Sequence, residues 1–174
     1  MTSVSLHQGE ASIKVGVITV SDKGSRGERV DLCIEEIRKL LPQIGGRLAE
    51  YTIIPDEEPV IIDILRSYAD QKHLDLIITS GGTGLSPRDV TPDATKKVIE
   101  KEIPGMAEAM RLESLKKTPF AMLSRGIAGT RGVSLIINLP GSPRGVRENL
   151  TTLIPVISHA LDKLHGDPAE CGSL

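Results

Sequence analysis

The chain has 174 residues, 39% apolar and 25% charged, with a formal net charge of -2. That is ordinary for a soluble protein and enough for one domain with one substantial core. The balanced charge, with no basic stripe, argues against a nucleic-acid binder. One Phe, two Tyr and no Trp provide no base-stacking platform for single strands and leave the core to Ile, Leu, Val and Ala.

Residues 1–12 are polar and patternless and are expected to form a flexible N-terminal segment ahead of a domain over 13–165. Ile13–Val20 is a β-branched run, apolar on both faces, which predicts a strand. Ser21–Gly27 is a polar loop. The spacing of Val30, Ile34, Ile37 and Leu41 predicts a helix face, closed by Pro42 and Gly45-Gly46. Leu48–Ile54 predicts a second strand. Pro55–Pro59 breaks it and opens a helix with acids in its first turn, which suits the helix dipole. Leu74–Thr79 is a third strand. Thr91-Pro92-Asp93 reads as a helix start with Thr91 as N-cap, Pro92 first in the helix and Asp93 in the first turn, running to about Lys101. Pro104 opens another helix to about Lys117. Gly126, Gly129 and Gly132 make a long helix over 119–131 improbable on propensity grounds. Val133–Leu139 is a fourth strand. Ser142 caps a last helix from Pro143 to about Leu164, where Pro155 is expected to kink it, and 166–174 is a tail.

Strands apolar on both faces, alternating with helices, predict an α/β fold: a three-layer α/β/α sandwich with a mostly parallel, mixed sheet. The start lacks a basic n-region and an apolar h-region, and no run reaches transmembrane length. Cys33 and Cys171 have no partner at metal-ligand spacing: Cys33 reads as a core residue, Cys171 as a bystander in the tail. A cytoplasmic, membrane-free protein is the expectation. The four histidines, 7, 73, 159 and 165, show no metal spacing and read as surface residues.

In such folds ligands sit beyond the carboxyl ends of the strands. The loops leaving those ends begin at Ser21, Asp56, Gly81 and Pro140. Gly81, Gly82 and Gly84 free backbone amides to converge on an anion, with the Thr83 hydroxyl as a further donor; the other reading is a tight turn. The loop lacks the lysine of a P-loop and the fingerprint of a dinucleotide-binding turn. Asp56 and Asp89, on separate loops, are candidates for binding Mg²⁺, against a capping role. Gly141 and the amides at the Ser142-Pro143 helix start form a candidate second anion site. Asn138 is either a ligand donor or a turn asparagine, and local sequence assigns no role to Ser124 or Arg125. Two anion sites and a cation imply that two phosphorylated ligands meet, as in nucleotidyl or phosphoryl transfer.

Larger patterns now join these pieces. Thr79-Ser-Gly-Gly-Thr-Gly84 followed by Arg88-Asp-Val-Thr-Pro-Asp-Ala-Thr95 resembles the molybdenum cofactor biosynthesis family. So do Gly16-Val-Ile-Thr-Val-Ser-Asp22, Ile54-Pro-Asp-Glu57, Met122-Leu-Ser-Arg125, Gly126-Ile-Ala-Gly-Thr-Arg-Gly132 and Ile136-Ile-Asn-Leu-Pro-Gly141. The resemblance spans nearly everything from Ile13 to Leu164. It implies a three-layer domain assembled as a homotrimer, with ATP and molybdopterin as substrates, Mg²⁺ as cation and pyrophosphate as by-product. It implies that Asp56 and Asp89 serve catalysis and hold the metal. Ser80, Gly81, Gly82, Thr83 and Gly84, with Pro140, Gly141, Ser142 and Pro143, would bind phosphate, and Ser124 and Asn138 would bind pterin. A molybdenum-insertion protein is the implied downstream partner. A second reading is a pterin-binding carrier with little turnover; a third, a trimeric scaffold, is disfavoured because no appended domain is present.

Overall fold

The β-branched runs do become strands, and they lie side by side. The computed structural model describes residues 12–168; the segment ahead of Ser12, with His7, and Cys171 in the tail lie outside the described residues. The strands are β1 (Ile13–Val20), β2 (Gly46–Ile54), β3 (Leu76–Ser80), β4 (Lys101–Glu102), β5 (Ala128–Arg131) and β6 (Ser134–Leu139). The helices are the single turn α1 (Asp22–Ser25), then α2 (Cys33–Leu40), α3 (Glu58–Arg66), α4 (Thr91–Lys96), α5 (Pro104–Leu115) and α6 (Pro143–Leu164). The six-stranded sheet has the order β2-β1-β3-β6-β5-β4. β2, β1, β3 and β6 run parallel, and β5 and β4 add an antiparallel edge.

The period of two along a strand divides the core. Val15 and Val17 of β1 face one side with Leu76 and Ile78 of β3, against Ile37 of α2, Met110 of α5 and Leu150 and Ile157 of α6. Ile18 and Val20 face the other, with Ile77 and Ile136, against Ile61 and Leu65 of α3, Ala94 of α4 and Tyr68. Three layers result, as the alternation predicts. Chain direction reverses its order about β1: the chain moves from β1 outward to β2, then crosses back to β3. The crevice between the carboxyl ends of β1 and β3 is therefore the topological switch point.

Several boundaries differ from the sequence expectation. Val30 is 79% exposed and lies ahead of α2. The helix starts three residues later, where Asp31 Oδ1 accepts the Cys33 N–H at 2.8 Å and satisfies its first amide. Thr91 is not an N-cap: it is the first residue of α4, and its side chain makes no capping hydrogen bond. α4 also stops at Lys96, and Lys101–Glu102 is a short edge strand instead of a helix end. The 119–131 stretch holds a 3₁₀ turn, Pro119–Leu123, and β5. Ser142 does cap α6, its Oγ accepting the Gly145 N–H at 3.1 Å, and Pro155 lies within that helix. Cys33 is buried as expected, and His73, His159 and His165 are exposed.

Candidate functional site

The loops at the carboxyl ends of the parallel strands are stitched to one another by backbone-to-carboxylate bonds. Asp56, just past β2, accepts the Asp22 N–H at 2.8 Å through Oδ2. Asp22, just past β1, accepts the Asp56 N–H at 3.0 Å through Oδ1. Arg88 then forks onto Asp22, with Nη2 at 2.8 Å and Nε at 3.0 Å. Asp89, next to it, accepts the Ser86 N–H at 2.8 Å through Oδ2. This leaves Asp56 Oδ1 and Asp89 Oδ1 without a hydrogen bond among the described residues. Both carboxylates line a hollow of about 290 Å³ at the switch point, together with Gly81, Gly82, Gly141 and Pro143.

Burial holds the Asp56 carboxyl above its ordinary range, and the charges of Asp22 and Asp89 push the same way. The fork from Arg88 does the reverse for Asp22 and holds it low. A desolvated carboxylate facing a second carboxylate is the setting a cation relieves. Among the described residues no three His, Cys, Asp or Glu side chains cluster as a metal cage. Two unbonded carboxylate oxygens in a polar hollow nevertheless fit Mg²⁺, which keeps several waters and takes its remaining ligands from substrate phosphates.

The glycine loop is shaped by the crevice. Gly81 has φ +105°, and a Cβ there would stand 2.3 Å from the Val20 carbonyl oxygen. No other residue admits that approach. The loop is less open to an anion than its composition suggests. The Gly81 N–H is spent on the Leu139 carbonyl at 3.1 Å. Ser80, 1% exposed, donates its hydroxyl to the Pro140 carbonyl at 3.1 Å. These two tie β3 to the turn after β6 and do not reach into the hollow as donors. The amides of Gly82, Thr83 and Gly84 find no acceptor among the described residues, so the anion site narrows to them. Their carbonyls are occupied: Gly82 by the Thr91 N–H, Thr83 by the Arg125 N–H, Gly84 by Arg125 Nε at 2.9 Å. Arg125 Nη2 also donates to the Asp89 carbonyl, and its Nη1 donates to both oxygens of the Asp93 carboxylate, at 3.0 and 2.9 Å. It is the clamp that holds the loop, and its position in a matched segment is the only trace of that role in the order of residues.

A second hollow of about 430 Å³ lies on the far side of the turn after β6. Pro140 and Ser142 line it, whereas Gly141 and Pro143 line the first, so the turn is the partition between the two. Neither Asp56 nor Asp89 reaches the larger hollow. Ser124 does, and so do the cationic side chains of Arg111, Lys117 and Arg144. Asn138 also borders it but is 1% exposed and sits within β6, not in a turn. Its Nδ2 donates to Thr79 Oγ1 and Thr95 Oγ1, each at 2.9 Å, and its Oδ1 accepts the Ile127 N–H at 3.3 Å. Both amide protons are used, so Asn138 braces the floor and has no N–H left for a ligand. The start of α6 offers fewer amides than expected: the Gly145 N–H goes to Ser142, and Pro143 has none.

The segment 16–159 matches a protein family described as "Probable molybdopterin binding domain". Over 158 residues the chain is 42% identical to a protein of Helicobacter pylori (strain J99) named molybdopterin adenylyltransferase, with 90% of each chain covered. A Haemophilus influenzae protein of the same name is 44% identical over 142 residues, covering 80% of this chain and 72% of the relative. The crystal structure of the molybdopterin biosynthesis enzyme MoaB from Thermus thermophilus superposes with a TM-score of 0.85 at 53% identity, covering 91% of this chain and 99% of that one.

Proposed function

The chain belongs to the molybdenum cofactor biosynthesis family of molybdopterin-binding domains, and from that premise we propose that it transfers the adenylyl group of ATP to molybdopterin. The observation that carries this reading is the shared wall: two hollows meet across the turn Pro140–Pro143, and only one of them is lined by the Asp56 and Asp89 pair. The nucleotide phosphates occupy the smaller hollow, over Gly82, Thr83 and Gly84. The pterin occupies the larger, beside Ser124, with its phosphate directed at the partition.

The terminal phosphate oxygen of molybdopterin attacks the α-phosphorus of ATP. A P–O bond forms to that oxygen, the bond to the β-phosphate bridge breaks, and pyrophosphate leaves with the electron pair. The attacking phosphate is already anionic near neutral pH, so no strong base is needed. Alignment and charge stabilisation carry the step. The loop amides donate to the transferring group, and the Arg125 clamp keeps them in place. Asp56 and Asp89 would hold Mg²⁺, which supplies neutralisation of the repelling phosphates when bound. We assign the product to a molybdenum-insertion protein and the chain to the cytoplasm as a homotrimer; no helix among the described residues is long and apolar enough to cross a membrane.

The test is pyrophosphate release from molybdopterin and Mg-ATP. Asp89→Asn is expected to retain pterin binding and lose turnover by about 10²–10³-fold, the scale for removing one preorganised charge-stabilising group. Undiminished turnover in that variant removes Asp89 from the reaction. Bound pterin with no pyrophosphate from the unaltered protein would establish the carrier reading instead.

A further inference from the structure

Among the described residues, one buried side-chain polar atom has no hydrogen-bond partner: Thr91 Oγ1. Thr91 is 0% exposed. Native interiors rarely leave a hydroxyl unpaired, because its desolvation is then uncompensated. Its surroundings are already committed. The Thr91 N–H goes to the Gly82 carbonyl at 3.1 Å, and the Thr91 carbonyl accepts Thr95 Oγ1 at 2.8 Å. Thr95 and Thr79 in turn satisfy Asn138.

What the hydroxyl does face is Gly82. With φ at +64°, Gly82 turns toward Thr91 the side on which a Cβ would stand, and that Cβ would lie 2.3 Å from Thr91 Oγ1 and 3.2 Å from Asp56 Oδ1. The unpaired hydroxyl and the unbonded Asp56 oxygen therefore both close on the same bare face of Gly82, where any side chain would run into them. A hydroxyl both donates and accepts, which suits it to a water molecule. A hard divalent cation on carboxylates retains several waters.

We propose that Thr91 is a positioning residue for the divalent cation: its hydroxyl hydrogen-bonds a water of the cation's shell at the bare face of Gly82, beside Asp56 Oδ1. The inference rests on the assignment of Asp56 and Asp89 to the cation. Outer-shell partners of this kind orient the ligands and set metal affinity, with losses of about 10–100-fold when removed.

The test uses the full chain and Mn²⁺ alone, without nucleotide or pterin, titrated by electron paramagnetic resonance, with thermal melts in the presence and absence of the ion. Thr91→Val keeps the shape and removes the hydroxyl. It is expected to weaken Mn²⁺ binding about 10–100-fold, while its melting temperature in chelator stays level or rises, since an unpaired polar atom is gone. Thr91→Ser restores affinity to within about threefold of the unaltered chain, because an outer-shell hydroxyl is regained. Thr91→Ala gives the same affinity loss should valine crowd the site. Undiminished Mn²⁺ binding by Thr91→Val and Thr91→Ala, together with loss of binding by Asp56→Asn, overturns this inference and leaves the cation assignment standing. Undiminished binding by both Asp56→Asn and Asp89→Asn overturns the cation assignment, and this inference with it.

Discussion

Asp56 and Asp22 exchange hydrogen bonds, yet their surroundings push their carboxyls in opposite directions. Desolvation, reinforced by two neighbouring carboxylates, raises Asp56 above 3.8; the Arg88 fork lowers Asp22 below it. A raised carboxyl favours the protonated form in the folded state. The stability it confers is complete below the unfolded value and is lost as pH rises through the folded value. Asp22 has the reverse sign: its contribution is present above the unfolded value and is lost as pH falls through the folded one. Ionised Asp56 therefore destabilises the cation-free protein at neutral pH. Asp56→Asn, whose amide oxygen still accepts the Asp22 N–H, is expected to melt higher than the unaltered chain at pH 7 in chelator, by about 2–4 °C for each kcal/mol relieved. The gap closes as pH falls below 3.8, and added Mg²⁺ reverses the order. Melts from pH 3 to 8 check this, and a lower melting temperature at pH 7 in chelator contradicts it. At this scale sequence reading identifies residue types but not their partners. That Asp56 and Asp89 border one hollow was legible because both lie on loops leaving the carboxyl ends of parallel strands, where such folds gather their loops. Ser80, Gly81 and Asn138 looked like ligand groups because nothing in the order of residues shows that Pro140, Leu139 and Thr79 claim their protons. Asp22 obeys the same strand-end rule as Asp56 and was within reach of it.

One element, the glycine loop, depends on a side chain far downstream in the chain. Arg125 bonds the Gly84 carbonyl, the Asp89 carbonyl and the Asp93 carboxylate, so a single planar guanidinium fixes both the loop that carries the free amides and the backbone at Asp89. Lysine keeps the charge but lacks the planar guanidinium. Arg125→Lys and Arg125→Ala are both expected to cost turnover, about tenfold and about a hundredfold respectively, on the scale of lost outer-shell support. Amide hydrogen exchange should rise over residues 82–90 while β1, β3 and β6 remain protected. Unchanged exchange in the loop would show that it holds without the clamp. The elements legible in the sequence, β1, β6 and α6, are long and strongly patterned, and α6 has a cap that works as expected. The illegible ones are short. β4 and β5 pair antiparallel at an edge through only a few residues, and Gly129 removes the alternation that would have revealed β5. The start of α2 lies later than the periodicity suggests because Asp31, whose carboxylate holds the first helical amide, stands next to Val30, which fits the helical period by coincidence.

At the scale of the molecule, the alternation of apolar strands with helices sufficed for the layers, because strands buried on both faces require helices on both faces. It left the assembly open. Leu112, Phe120 and Met122 are 65%, 75% and 66% exposed, and with Leu115 and Leu123 they gather at α5 and the turn that follows. Exposed apolar residues grouped in this way mark a contact surface. In a homotrimer that used this face, the patch would meet a different surface of the neighbouring subunit, because contacts around a three-fold ring are heterologous. Phe120 also lines the larger hollow, so a neighbouring subunit on this face would border that hollow. Leu112→Asp is then the informative change. It is exposed, so it costs the isolated fold no more than about 0.5 kcal/mol, but it puts a charge into the subunit contact. The unaltered chain is expected to sediment at three times the chain mass and Leu112→Asp at one. The monomer should keep the affinity of the smaller hollow for ATP and lose that of the larger for pterin, because only the larger is bordered by the patch. A Leu112→Asp protein that still sediments as a trimer assigns the contact to another face; one that becomes monomeric with pterin affinity intact separates assembly from the site.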